Sequence, residues 1–432
     1  MRTQDHDAEY FSEHDTYLAP GPRTRWTTWL KRIIARIIFP PILLWDLLKL
    51  CARQLVGNKV GNLIFRAQSD PVDDLSLPDE IDAALSRKKI RVVTYDHAEL
   101  DTREIQNRAS LRGKYIVYFP GRGATMENTL KLAEKQATEF QCNVVIGNYR
   151  GVQHSTGKAK FMRDLVTDGI AQTQRLIDMG VPADKITLVG YSFGSSVSAK
   201  VARYFHQQKQ KVSLFCDRGF SNSGNLLVGW LRGGGSVLHT KPPAVGHKES
   251  LGGKILGWLM KPLFKLVLYL TQWHCDTEKA FRAVPASHKE YIVVRSSKQQ
   301  RQSTMTADDT IIPHFSSLHA ALRPERKQQK SAIDKRIHRL QTITQRATQS
   351  TALIQTQLAG KILPQLQEAR ASFLERKMIA PDLEQENDAH FVDWDTLRDR
   401  RNGKPASDFF RRFFNREQLA PEPISTTKTC HS

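Results

Sequence analysis

KITLVGYSFGSSVSAKVARYFHQ, residues 185–207, is the stretch that decides the fold. Its opening residues, 185–191, form a near-continuous apolar run, as expected of a strand covered on both faces. From residue 194 onward the composition is that of a helix. Between them stands Gly190-Tyr191-Ser192-Phe193-Gly194. Glycine on either side of a serine permits a sharp backbone turn without Cβ clashes. Such an elbow lifts the serine Oγ out of the sheet and aims the helix N-terminus at the reaction centre. G-x-S-x-G alone is a weak pattern; the strand before it and the helix after it supply the context it needs. Ser192 is therefore the candidate nucleophile, and Gly190 and Gly194 are the glycines of its elbow.

The same rhythm continues on both sides. Strand candidates are IRVVTYD (90–96), KYIVYFP (114–120), CNVVIGN (142–148), KVSLFC (211–216) and EYIVVR (290–295). Helices fit between them at about 126–139 and 161–179 as well as 194–207. This alternation predicts an α/β fold, a mostly parallel sheet flanked by helices. The loop after residues 114–120 is Gly121-Arg122-Gly123-Ala124. An acyl-transfer site needs two backbone N–H groups aimed at the developing oxyanion. Here they are expected from Phe193, which follows the nucleophile, and from Arg122 or Gly123.

The block from 114 to 200 resembles the α/β-hydrolase superfamily in its lipase and esterase branch. YFPGRG (118–123) sits where that family has its His-Gly oxyanion loop, and NYRGVQHSTGK (148–158) is similar to its D-Y-R-G-x-G-x-S-x-G segment. Two departures stand out, Asn148 in place of the usual aspartate and the missing histidine before Gly121. The resemblance covers roughly residues 90–320. It implies a Ser-acid-His triad in that chain order. MTADDTIIPHFSSLHAAL (305–322) resembles the family's D-x-x-I/V-P segment, which maps the acid onto Asp309, with Asp308 its neighbour and Asp217 a remaining contender. Among histidines further on, His314 and His319 follow the acid too closely to reach around the sheet, His338 belongs to a basic helix, and His431 is in the tail. His390, in a polar loop running into an aromatic segment, is the candidate base. The resemblance calls for no cofactor, and no ligand cluster suggests a metal.

The remaining segments define the domain organisation. Residues 1–67 read as a leader followed by an arm, WTTWLKRIIARIIFPPILLWDLLKLCARQLVG (26–57), in which Pro40-Pro41 should separate two short amphipathic helices. Trp and basic residues flanking such helices suit an interfacial anchor. Residues 68–88 look like a linker, and 90–415 form the hydrolase-like domain. It carries a cap insertion at 221–288 and a basic helical insertion at 325–378; residues 416–432 are a polar tail. The cap includes the apolar helix 254–273, whose Lys261 and Lys265 favour lying on a membrane over crossing it.

Lys and Arg number 64 against 44 Asp and Glu, a formal charge of +20. Such an excess favours anionic partners. Nucleic acid is not expected, because the basic insertion lacks interleaved aromatics and matches no binding module. The five cysteines have no CxxC spacing, which points to a reducing compartment without a disulfide framework. The opening residues are not a secretory signal, so a cytoplasmic or peripheral-membrane location is expected. A narrower resemblance, carried by the basic chain, the amphipathic arm and the extra helices, is to lipase-like effectors secreted by intracellular bacteria of the Legionella type. It implies translocation into a host cell. The expected activity is cleavage of ester or thioester bonds of lipid or acylated substrates at a membrane. A peptidase of the same fold and a non-catalytic scaffold binding a protein partner are the alternatives.

Overall fold

The computed structural model describes residues 16–21, 40–65, 82–110, 113–234, 251–294, 309, 311–347, 362–364, 366–367, 376–379, 389–399 and 402–416. Ten strands of the described residues make one sheet: β1 (Thr16–Leu18), β2 (Leu85–Val93), β3 (Glu99–Asn107), β4 (Tyr115–Phe119), β5 (Asn143–Gly147), β6 (Ile186–Tyr191), β7 (Ser213–Asp217), β8 (Lys289–Val294), β9 (Lys377–Ile379) and β10 (Arg398–Asp399). Their order is β1-β2-β3-β5-β4-β6-β7-β8-β9-β10. β3 runs antiparallel to both β2 and β5, and β10 antiparallel to β9; every other pair is parallel.

Among the described residues the α-helices of seven or more residues are α1 (Pro40–Ala52), α2 (Asn58–Ile64), α3 (Met126–Phe140), α4 (Met162–Asp178), α5 (Gly194–Gln207), α6 (Ser223–Gly229), α7 (Leu251–Leu270), α8 (Thr277–Ala283), α9 (Arg323–Ala347) and α10 (Ala406–Phe414). Alternate residues of each central strand face opposite layers. Val117 and Phe119 of β4 join a core with α4, α5, α8 and the arm residues Ile64 and Phe65. Ile116 and Tyr118 join the other core, with α3 and the Phe410, Phe413 and Phe414 face of α10. Thr125 caps α3, its Oγ1 accepting from the Asn128 N–H at 3.3 Å.

After β4 the chain turns to β5 on one side and then returns to β6 on the other. The C-terminal ends of β4 and β6 thus flank a topological switch point, where open α/β sheets bind ligands.

Several boundaries differ from the sequence reading. The leader contributes β1, which pairs in parallel with β2 at the sheet edge. β2 begins inside the stretch read as linker. Pro40 and Pro41 stand in the first turn of a helix, where a missing N–H is harmless, and the chain stays helical through a π turn at Arg53–Gly57 to Ile64. The arm helix expected before Pro40 lies outside the described residues. The cap is smaller than 221–288: Trp273, Cys275, Ala280 and Phe281 belong to the main core, because α8 packs on α5. The insertion at 325–378 is helical to Ala347, but its last residues enter the sheet as β9, where Arg376 pairs with Glu290 at the entry.

The arm is fastened at Gly61, where a Cβ would stand 2.8 Å from Cζ2 of the buried Trp273 ring. Gly61→Val is expected to cost about 1–3 kcal/mol through overpacking, read as a lower urea midpoint with unchanged slope. A variant as stable as the parent would show that the arm is not seated on the core.

Candidate active site

Ser192 follows β6 with φ of +52°, the left-handed backbone that a side chain rarely adopts. The surroundings enforce it. A Cβ on Gly190 would lie 2.2 Å from Ser198 Oγ, and one on Gly194 would lie 2.0 Å from the Phe119 carbonyl oxygen. Both elbow positions therefore exclude any larger residue. The Ser192 N–H donates to the Asp217 carbonyl at 2.8 Å, and Ser195 Oγ donates to the Gly190 carbonyl at 2.6 Å, so the turn is fixed from both sides.

The three candidate residues meet although they are far apart in sequence. His390 Nε2 lies 2.9 Å from Ser192 Oγ, and its Nδ1 lies 2.9 Å from Asp309 Oδ2. A neutral imidazole with its proton on Nδ1 satisfies both contacts: Nδ1–H donates to the carboxylate and Nε2 accepts from the serine hydroxyl. Asp309 Oδ1 also accepts the Ile312 N–H at 2.8 Å. His390 and Asp309 are buried, so these hydrogen bonds have little water to compete with them. Asp308 lies outside the described residues, as does His431.

Asp217 has a different place from the one considered for it. Its carboxylate takes a bidentate pair from Arg218, at 2.8 Å from Nε and 2.7 Å from the terminal nitrogen, and accepts the Trp394 indole N–H at 2.8 Å. Among the described residues it bonds to no imidazole nitrogen. Arg218 in turn donates to the carbonyls of His390 at 2.9 Å and Val392 at 2.7 Å. The Tyr191 hydroxyl donates to the His390 carbonyl too. This buried cluster grips the backbone of the His390 turn, and nothing in the motif reading pointed to Arg218, Tyr191 or Trp394. The signal was present in CDRGF (216–220), where an Asp-Arg pair follows the apolar run Leu214-Phe215-Cys216.

The oxyanion loop is built partly by the arm. The Gly123 N–H donates to the Phe65 carbonyl at 3.2 Å, which takes Gly123 off the pair of donors considered. The Arg122 guanidinium reaches the Leu63 carbonyl at 2.9 Å. Phe65 packs on Phe193, with ring centroids 5.7 Å apart. The Phe193 N–H has no acceptor among the described residues. Of the two departures noted in sequence, Asn148 has become structural: its Oδ1 accepts the Met126 N–H at 2.8 Å at the start of α3.

Strand order, switch point and elbow settle the architecture. It is the α/β-hydrolase fold. A family model described as Chlamydia CHLPS protein (DUF818) matches residues 26–217. The comparison with curated proteins gave no match. Similar solved structures include an alpha-beta hydrolase from Vibrio vulnificus, 17% identical over 58% of this chain and 79% of that one, with a TM-score of 0.37. Another is the Pyrococcus furiosus esterase Pf2001, 15% identical over 51% of this chain and 76% of that one, TM-score 0.33. A third is the carboxylesterase EstE1 cloned from a metagenomic library, 15% identical over 57% and 76%, TM-score 0.32. The strand order and the elbow carry the fold by themselves.

Proposed function

We propose that this chain is a serine hydrolase cleaving ester or thioester bonds of lipid or acylated substrates at a membrane surface. The observation that supports the chemistry is the pair of 2.9 Å contacts from His390 to Ser192 and Asp309. Ser192 Oγ attacks the acyl carbonyl while His390 Nε2 takes its proton, and Asp309 stabilises the imidazolium. The backbone N–H groups of Phe193 and Arg122 hold the tetrahedral oxyanion. Its collapse expels the alcohol or thiol, protonated by His390. Water, deprotonated by the same imidazole, then releases the acid from the acyl-enzyme.

A fluorophosphonate probe tests this directly. The full-length protein should acquire one phosphonyl adduct on the peptide that holds Ser192, and the Ser192→Ala variant none. An unlabelled parent protein sinks the reading.

The lipid half of the proposal rests on α1 and α7. Leu43, Leu44, Leu47 and Leu48 of α1 are exposed, as are Ile255, Leu256, Trp258 and Leu259 of α7, with Trp258 at 74%. The helices touch where the Trp45 and Tyr269 rings stand 6.2 Å apart, and Lys49 Nζ lies 5.4 Å from the Tyr269 ring. An exposed apolar face of this extent marks an interaction surface. Lys254, Lys261 and Lys265 lie along α7, and burial, then Lys265 and Arg232, push the Lys261 ammonium down. A positive edge beside an apolar face is complementary to an anionic bilayer. Among the described residues no helix is long and apolar enough to cross a membrane. Trp258→Glu with Leu259→Glu should weaken co-sedimentation with anionic vesicles at least about tenfold while the melting temperature stays put. Undiminished co-sedimentation would remove the lipid half and leave the chemistry. Delivery into a host cell belongs to the same proposal and rests on the narrower resemblance alone.

A further inference from the structure

Away from the Ser192 site, a cleft of about 310 Å³ lies between the outer face of α5 and the segment that leads from α7 into α8. Lys200, Arg203 and Tyr204 line one side, and His274, Asp276 and Lys279 the other. Three cations thus face one carboxylate. Arg203 and Lys279 make no ion pair with any described residue, and Lys200 donates only to the His274 carbonyl at 3.1 Å. Burial, then Lys200, push the His274 imidazole down, so it adds a neutral polar wall. Its buried Nδ1 has no partner among the described residues.

Unneutralised cations gathered in a concave site need an anion, and a cleft concentrates their field. The guanidinium fork of Arg203 suits two oxygens of one tetrahedral group, and the two ammonium groups act as point charges around it. Tyr204 offers a ring and a hydroxyl for whatever the anion is attached to. A single carboxylate ligand would leave positive charge over, whereas a phosphate monoester, with close to two negative charges at neutral pH, matches it.

We propose that this cleft binds a phosphate monoester. Its position gives that group two sources. The His274 ring lies 5.5 Å from the Tyr269 ring, which is the α7 side of the contact with Trp45. The cleft therefore borders the apolar α1–α7 face, where the ester can be the headgroup of a lipid such as phosphatidic acid. Equally, it can be a small soluble phosphomonoester. The inference does not depend on hydrolysis at Ser192.

The test uses the full chain carrying Ser192→Ala, so that turnover plays no part. Calorimetric titration with inorganic phosphate and glycerol 3-phosphate reads the soluble source. Co-sedimentation with phosphatidylcholine vesicles containing either phosphatidic acid or phosphatidylglycerol reads the lipid one. Saturable binding of the soluble anions supports a soluble ligand; a preference for phosphatidic acid over phosphatidylglycerol without soluble binding supports a headgroup. In either case Arg203→Gln with Lys279→Gln should weaken binding at least about tenfold, because two charge-assisted contacts are lost. Lys279→Glu alone, at an exposed position, should act in the same direction if the double variant does not fold. Absence of saturable binding of the soluble anions together with no preference between the two vesicles, or binding that these variants leave unchanged, overturns the proposal.

Discussion

His390→Ala should lower kcat for a p-nitrophenyl ester by roughly 10⁴- to 10⁶-fold, with the protein still folded. The imidazole makes both contacts of the series, at 2.9 Å to Ser192 Oγ and 2.9 Å to Asp309 Oδ2. Without it, among the described residues, the serine hydroxyl has no base within reach and the carboxylate keeps only the Ile312 N–H. Residues acting as a unit are not additive, so Ser192→Ala combined with His390→Ala should be hardly worse than either alone. Asp309→Asn should cost roughly 10⁴-fold, because an amide opposite Nδ1 favours the wrong tautomer. The four variant rates, measured beside urea midpoints to exclude unfolding, form one prediction. A His390→Ala enzyme within about tenfold of the parent would remove the triad, whatever its geometry.

The second large effect is expected on stability. Arg218→Met should destabilise the protein by about 3–5 kcal/mol, since it strands a buried carboxylate. Asp217 is 2% exposed and, among the described residues, keeps only the Trp394 indole N–H once Arg218 is gone. The carbonyls of His390 and Val392 lose a donor at the same time. Pairing the change with Asp217→Asn removes the stranded charge, so the double variant should be more stable than Arg218→Met alone. Its kcat should stay low, because the grip on the His390 turn is still missing. That split separates the two roles: stability recovers with charge balance, whereas activity needs the guanidinium itself. Parent-like activity in the double variant would reduce Arg218 to a structural ion pair.

Sequence revealed the centre of this fold and concealed its edges, for physical reasons. β4 to β8 are covered on both faces, so they read as apolar runs, and the glycines around Ser192 are dictated by contacts no Cβ could survive. β3, ELDTREIQN, is equally inside the protein but carries its burial as polar pairs. Arg103 meets Asp101 and Arg175 meets Glu104, and each of these side chains is almost wholly buried. Apolar periodicity cannot see a strand of that kind. The candidate site was legible where a motif carries it, at Ser192 and in the D-x-x-I-P segment of Asp309. At Arg218 the Asp-Arg pair in CDRGF marks a buried ion pair but not its grip on the His390 and Val392 carbonyls, and Phe65 acts on Gly123 through its own carbonyl; side-chain patterns are blind to backbone partners of that kind.

The arm has a consequence for how such a protein can be dissected. From Pro40 to Ile64 it is one helical rod, roughly 37 Å long at 1.5 Å per residue. One end is apolar and exposed, while Phe65 just past the other end is wedged beside Phe193 and accepts the Gly123 N–H. It is therefore not a detachable module. A chain shortened to begin at Arg66 would lose a wall of the reaction centre together with its apolar rod. Its inactivity would report nothing about membranes, and only point changes on the exposed face can separate the two.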